Sequence, residues 1–148
     1  MLPVLETLPL TFDAPVTGEL FLIARLLFGG TLAFMGLNHF LDLENMAGYA
    51  EMKGIPAPTF SVAFSGGLLL FGGLGVAVGV APTVAASALA LFLLVATPTM
   101  HDFWAVPDEQ RQSELTSFLK NVGLLGGSLG LLALGALEWP YALGVGLF

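Results

Sequence analysis

The chain has 148 residues, 56% of them hydrophobic and only 10% charged, with a net charge of −7 and no cysteine. A soluble globule needs about 25% charged residues to cover its surface, so this chain is not one, and disorder and collagen are excluded as well. The absence of cysteine excludes disulfides and thiolate chemistry, and 4 Lys+Arg against 11 Asp+Glu exclude a surface for the phosphate backbone of nucleic acid.

What remains is a membrane domain, and the chain reads as one from end to end. Residues 1–18 form a lead-in with Pro3, Pro9 and Pro15, Glu6 and Asp13, and no Lys or Arg. That pattern is not a signal peptide. A spanning helix needs roughly 20 apolar residues, and residues 19–40 supply the first, with Arg25 its only internal charge. Residues 42–53 predict an amphipathic helix. Leu43, Met46, Ala47 and Ala50 share one face and Glu44, Asn45 and Glu51 lie off it, so the segment suits the membrane interface. Gly54-Ile55-Pro56-Ala57-Pro58 ends it and opens a second span at residues 58–80. A tight turn leads to the third, residues 82–100, which Pro98 is expected to kink just before His101. Pro107-Asp108-Glu109 opens a further helix in the manner helix starts prefer. Its early turns lie outside lipid, and it leads to the fourth span, residues 115–137. Residues 138–148 are a tail.

The expected fold class is therefore all-α: an integral membrane four-helix bundle with one transmembrane domain at residues 19–137. Its halves look alike. Asn38-His39-Phe40-Leu41-Asp42 ends one helix and His101-Asp102-Phe103-Trp104 another, and Gly66-Gly67 and Gly126-Gly127 mark the helices that follow. Two parallel-repeat hairpins are expected, with the interfacial helix between spans 1 and 2. Four spans put both termini and the short turn on one side, and both long connections on the other, the loop side. Lys53, Arg111 and Lys120 belong to the loop side and Arg25 to the terminal side. The excess of basic residues on cytoplasmic loops then places the termini outside a cell membrane.

Polar groups within spans need a partner or a purpose. Arg25 is expected to pair with Glu19 or Glu138, or to contact an anionic ligand. The denser set lies at the loop-side end: Asn38, His39, His101, Asp102, Trp104, Lys120 and Asn121. Two imidazoles, a carboxylate, an indole and carbonyls freed by Pro98 suit a quinone ring or another polar-headed lipophile, with His exchanging protons. From the residues alone an interfacial belt, with polar tips in the headgroups, suits them at least as well. Asp102 is the expected partner of an imidazole. Lys120, being charged, ranks above Asn121 as a donor. No haem-attachment signal and no H-x-x-x-H spacing is present, so neither haem nor metal is expected. Gly75 and Gly79, Gly123 and Gly127, and Gly126 and Gly130 are four apart, a spacing that lets helices approach closely. The surplus of such faces predicts self-association.

Several of these segments, taken in order, resemble DoxX-family membrane proteins. They are Ala24-Arg25-Leu26-Leu27-Phe28-Gly29, Gly36-Leu37-Asn38-His39-Phe40, Gly48-Tyr49, Gly54-Ile55-Pro56-Ala57-Pro58, Gly66-Gly67-Leu68-Leu69-Leu70-Phe71-Gly72 and Phe118-Leu119-Lys120-Asn121-Val122-Gly123-Leu124-Leu125-Gly126-Gly127. The resemblance implies a four-helix membrane protein and an association with quinone-linked oxidoreductases, as a membrane subunit or as the partner of a soluble redox enzyme. It carries to Arg25, His101, Lys120 and Asn121. Ser65 stands where many members have a Glu before the Gly-Gly pair, so no proton-handling role transfers to that helix. The scarcity of Lys and the sequence pI of 4.4 resemble proteins of salt-loving archaea. The expected function is a membrane subunit of a quinone-linked oxidoreductase system. The alternatives are a small transporter or lipid-binding protein, and a structural anchor for a soluble redox partner.

Overall fold

The computed structural model describes residues 12–144. Among these residues five helices follow one another: α1 (Thr17–Leu41), α2 (Leu43–Met52), α3 (Pro58–Val78), α4 (Pro82–Met100) and α5 (Asp108–Ala133). Four of them, all but α2, are long and apolar enough to cross a membrane. Their outward faces are apolar too: Leu27 is 68%, Phe34 62%, Phe71 72% and Leu94 61% exposed. Such faces suit acyl chains and would be costly in water. The chain is an all-α, multi-pass membrane bundle.

The turns follow from local chemistry. Proline stands at the first position of α3 (Pro58) and of α4 (Pro82), where its missing N–H costs nothing. Gly79, at φ 73°, ends α3 as its N–H reaches the carbonyl of Gly75. The left-handed conformation there is open to glycine at little cost, so the span stops at Val78, two residues before the expected end.

Helices α1 and α3 touch backbone to backbone. A Cβ on Gly73 would strike the carbonyl oxygen of Gly29 and lie 2.5 Å from the Ala33 nitrogen. One on Gly36 would lie 2.7 Å from the carbonyl oxygen of Gly66. Helix α4 packs on α3 through Gly72 against Leu89 and Gly75 against Ala85. The core gathers Leu32, Leu69, Val76, Ala86, Leu89 and Trp139. Helix α5 leans on α4 and is the most exposed of the long helices, with Ser128 its only buried residue. Its Gly127 faces the Phe28 ring, but Gly123, Gly126 and Gly130 have nothing within 4 Å among the described residues.

Two expectations change. The fourth span ends at Ala133 and not at residue 137. The chain tightens there into short turns, with Gly135 packed against Thr83 and its N–H on the Leu132 carbonyl. The Trp139 indole N–H then takes the Leu134 carbonyl at 2.9 Å, supplying a donor to a helix end. The two halves also differ. An interfacial helix, α2, separates α1 from α3, packing Ala47, Ala50 and Val62 together. In the second half the polar opening at Asp108 runs into the span as one continuous helix. Most of the lead-in, residues 1–11, lies outside the described residues.

Candidate functional site

Because α1 and α4 run in the same sense, His39, in the last turn of α1, and His101, just past α4, lie at the same end of the bundle. Pro98 sits in the last turn of α4, and the helix stops two residues later. His101 leaves helical geometry at φ −121°, ψ 53°. Its ring turns to α5, where Nδ1 lies 2.9 Å from Glu114 Oε2. The next residue, Asp102, pairs with Lys53 at the end of α2, its Oδ1 accepting from Nζ. Sequence reasoning gave Asp102 to an imidazole. The structure gives it to Lys53, and the imidazole to Glu114. All four side chains are partly buried, between 15% and 28% exposed, so their charges are less screened than on an open surface.

The Lys53–Asp102 bond holds the Asp102 carboxyl below its ordinary 3.8 and the Lys53 ammonium above its ordinary 10.5, the hydrogen bond between them being the largest cause in each case. Lys53 also lies 5.7 Å over the Tyr49 ring. The cluster thereby ties three segments together: the end of α2, the α4–α5 connection and the second turn of α5.

Aromatic rings adjoin it. Phe103 and Trp104 on the connection meet each other edge to face at 5.1 Å between centroids, and meet Phe118 of α5 at 5.3 and 6.0 Å. Glu114, Phe118, Asn121 and Ser128 follow helical spacing on one stripe of α5, and each is at least partly buried. Lys120 lies off that stripe and is exposed. Asn121, and not Lys120, shares the stripe of Glu114 and Phe118.

His39 donates locally, its Nδ1–H reaching the Met35 carbonyl oxygen at 2.9 Å, and its ring meets Phe92 edge-on at 6.1 Å. Asn38 is half-buried one residue away, and its main-chain carbonyl accepts from the Asp42 N–H. The Thr97 hydroxyl, one turn before His101, is buried and has no hydrogen-bond partner among the described residues. Sequence reasoning put Lys53 on the loop side but gave it no partner there, and it missed Glu114 and Thr97 as members of this end. The only signal was that Lys53 and Glu114 are charges placed within a turn or two of a span.

Arg25 is elsewhere. It lies at the terminal side, fully buried, and pairs with neither Glu19 nor Glu138. Its Nη1 donates to the Pro140 carbonyl at 2.6 Å and its Nη2 to the Tyr141 carbonyl at 3.1 Å. The guanidinium carbon lies 5.4 Å from the Phe21 ring centre and 5.5 Å from that of Trp139. Glu19 instead accepts from the Tyr141 hydroxyl at 3.0 Å, which raises the phenol above its ordinary pKa. The first part of the tail is therefore a strap folded back over the bundle end, with Ala142 seated on Gly79 and the Leu143 N–H on the Val78 carbonyl.

A groove of about 650 Å³ runs along the outer face between α3 and α4, lined by Phe64, Phe71, Val78, Val84 and Ala88 among others. It is almost wholly apolar and contains none of the loop-side polar residues.

The family model described as DoxX matches residues 20–102, from the first turn of α1 to Asp102. No curated protein and no solved structure matches the chain.

Proposed function

The chain belongs to the DoxX family, and from the polar cluster at the loop-side end of its bundle we propose that it is the membrane subunit of a quinone-linked oxidoreductase system. The observation that carries this reading is the His101–Glu114 pair beside the Phe103–Trp104–Phe118 rings. A proton-exchanging group next to flat apolar walls at a membrane interface is what a lipophile with a redox-active polar ring requires. His101 and Asn121 contact the ring oxygens, Trp104 and Phe118 flank the ring, and His39 and Asn38 complete the polar end. Asp102 acts through Lys53 to hold the connection in place, and Lys120 sits at the rim.

In this reading the loop side faces the cytoplasm and the termini lie outside the cell membrane, following the placement of Lys53, Arg111 and Lys120. A soluble redox enzyme docks at the loop side, and copies of the chain associate through the open Gly123–Gly126–Gly130 face of α5. The mass of the protein in nanodiscs reads that association, and a monomer in every lipid tested speaks against it.

The test of the binding function is the affinity of short-chain quinone analogues for the protein in nanodiscs, comparing wild type with His101→Ala, Asn121→Ala and Lys120→Met. Binding weakens most in His101→Ala and least in Lys120→Met. If no analogue binds the wild type, or if all variants bind equally well while folded, the site is structural and the chain is an anchor for a soluble partner.

A further inference from the structure

The two loop-side imidazoles share a feature that bears on which form of the ligand this end accepts. A neutral imidazole has one N–H donor and one bare acceptor nitrogen, and the partner of one nitrogen decides the role of the other. The Nδ1 of His101 faces a carboxylate oxygen at 2.9 Å, and an ionised carboxylate only accepts. The Nδ1 of His39 faces a main-chain carbonyl oxygen at 2.9 Å, which also only accepts. In the neutral ring both hydrogens therefore sit on Nδ1, and both Nε2 atoms carry lone pairs.

We propose that Glu114 is a positioning residue that fixes His101 as a hydrogen-bond acceptor at Nε2, so that the site selects a ring hydroxyl over a ring carbonyl. The inference rests on the proposed function for its ligand class and narrows that class to the hydroxyl-bearing, hydroquinone form. A quinone oxygen has no hydrogen, so against Nε2 it sets lone pair against lone pair. A hydroquinone oxygen donates its hydrogen to the same atom. Asp102 does not compete for the ring, because Lys53 occupies it. The ionisable groups around His101 are then Glu114 from α5, Asp102 from its own connection and Lys53 from the end of α2. Of these, Glu114 is the one in contact with the ring. Full protonation of the imidazole makes both nitrogens donors, so the preference belongs to the neutral ring.

Three probes separate the possibilities: trimethylhydroquinone, its quinone and its dimethyl ether. Their affinities are measured in nanodiscs, without oxygen, at a pH where nitrogen NMR shows the His101 ring neutral. Wild type binds the hydroquinone about tenfold more tightly than either other probe, the worth of one hydrogen bond in place of a lone-pair contact. In Glu114→Lys the side chain can only donate, so Nδ1 has to accept and the ring hydrogen moves to Nε2, and the preference vanishes or inverts. Nitrogen NMR of labelled histidine reads the tautomer without any ligand: hydrogen on Nδ1 in wild type, on Nε2 in Glu114→Lys. Equal binding of hydroquinone and quinone by wild type overturns the ligand preference, and hydrogen on Nε2 in wild type overturns the positioning role. If none of the three probes binds while the tautomer is as stated, the quinone reading fails and the role of Glu114 stands.

Discussion

Removing the Arg25 guanidinium should release the C-terminal strap without unfolding the bundle. In Arg25→Met the carbonyls of Pro140 and Tyr141 lose their donors. Hydrogen bonds from a charged group are worth about 1.5–3 kcal/mol each, and each of the two ring contacts adds about 0.5–2 kcal/mol. Against this stands the cost of burying a cation that the described residues give no salt bridge, which is several kcal/mol and disappears with the charge. That relief favours the folded bundle, whereas the lost bonds act on the strap. The methionine stem refills much of the space, and two donorless carbonyls regain partners only by moving to water. The strap is expected to weaken by about 3 kcal/mol, which is roughly a hundredfold in its docking equilibrium. The readout is hydrogen exchange in nanodiscs over residues 138–144, where the Leu143 N–H is protected by the Val78 carbonyl. Exchange there should rise by about two orders of magnitude while α1, α3 and α4 stay protected. Unchanged protection of the strap in a folded variant would refute the claim that the guanidinium holds it, and loss of protection throughout would show that Arg25 supports the whole bundle.

Glycine substitutions should divide by what faces them. Gly73→Ala sets a methyl against the Gly29 carbonyl and the Ala33 nitrogen and should cost about 2 kcal/mol or more, whereas Gly30→Ala meets nothing within 4 Å among the described residues and should gain up to about 1 kcal/mol from helix propensity; thermal unfolding in detergent ranks them, and the opposite order would overturn the packing argument. The Lys53–Asp102 pair gives a pH window. Asp102's lowered pKa contributes stability that is present above the ordinary carboxylate value of 3.8 and lost as pH falls through the folded value, while Lys53's raised pKa contributes below 10.5 and is lost as pH rises through the folded value. Protease sensitivity of the α4–α5 connection should be flat between those limits and rise outside them, and Lys53→Met should abolish both edges. For topology, cysteines at Glu138 and Asp108, both exposed, should react with impermeant reagent from opposite sides; labelling from one side would contradict four spans.

How far the sequence reached depended on the kind of force involved. The spans were legible because a bilayer imposes one local condition, a run of about 20 apolar residues. The α4 boundaries at Pro82 and Met100 match the reading, and α2 follows from a helical repeat of apolar residues between Asp42 and Lys53. The identity of the polar end was legible too, because His39 and His101 stand at helix ends that point the same way.

The pairings were not legible. His101 meets Glu114 across 13 positions, Lys53 meets Asp102 across 49, and Arg25 meets Pro140 across 115. No periodicity links such partners, and composition offered nearer carboxylates for both His101 and Arg25. What decides each pairing is where the helix ends arrive in space. Backbone contact at Gly29 and Gly73 sets how closely α1 and α3 lie, and the early end of α5 at Ala133 leaves the chain enough length to fold its strap back onto Arg25. By itself the sequence determined a four-span bundle with a polar end, since hydropathy acts residue by residue. Only the tertiary structure decided which charge answers which, since charges pair by distance and not by order along the chain.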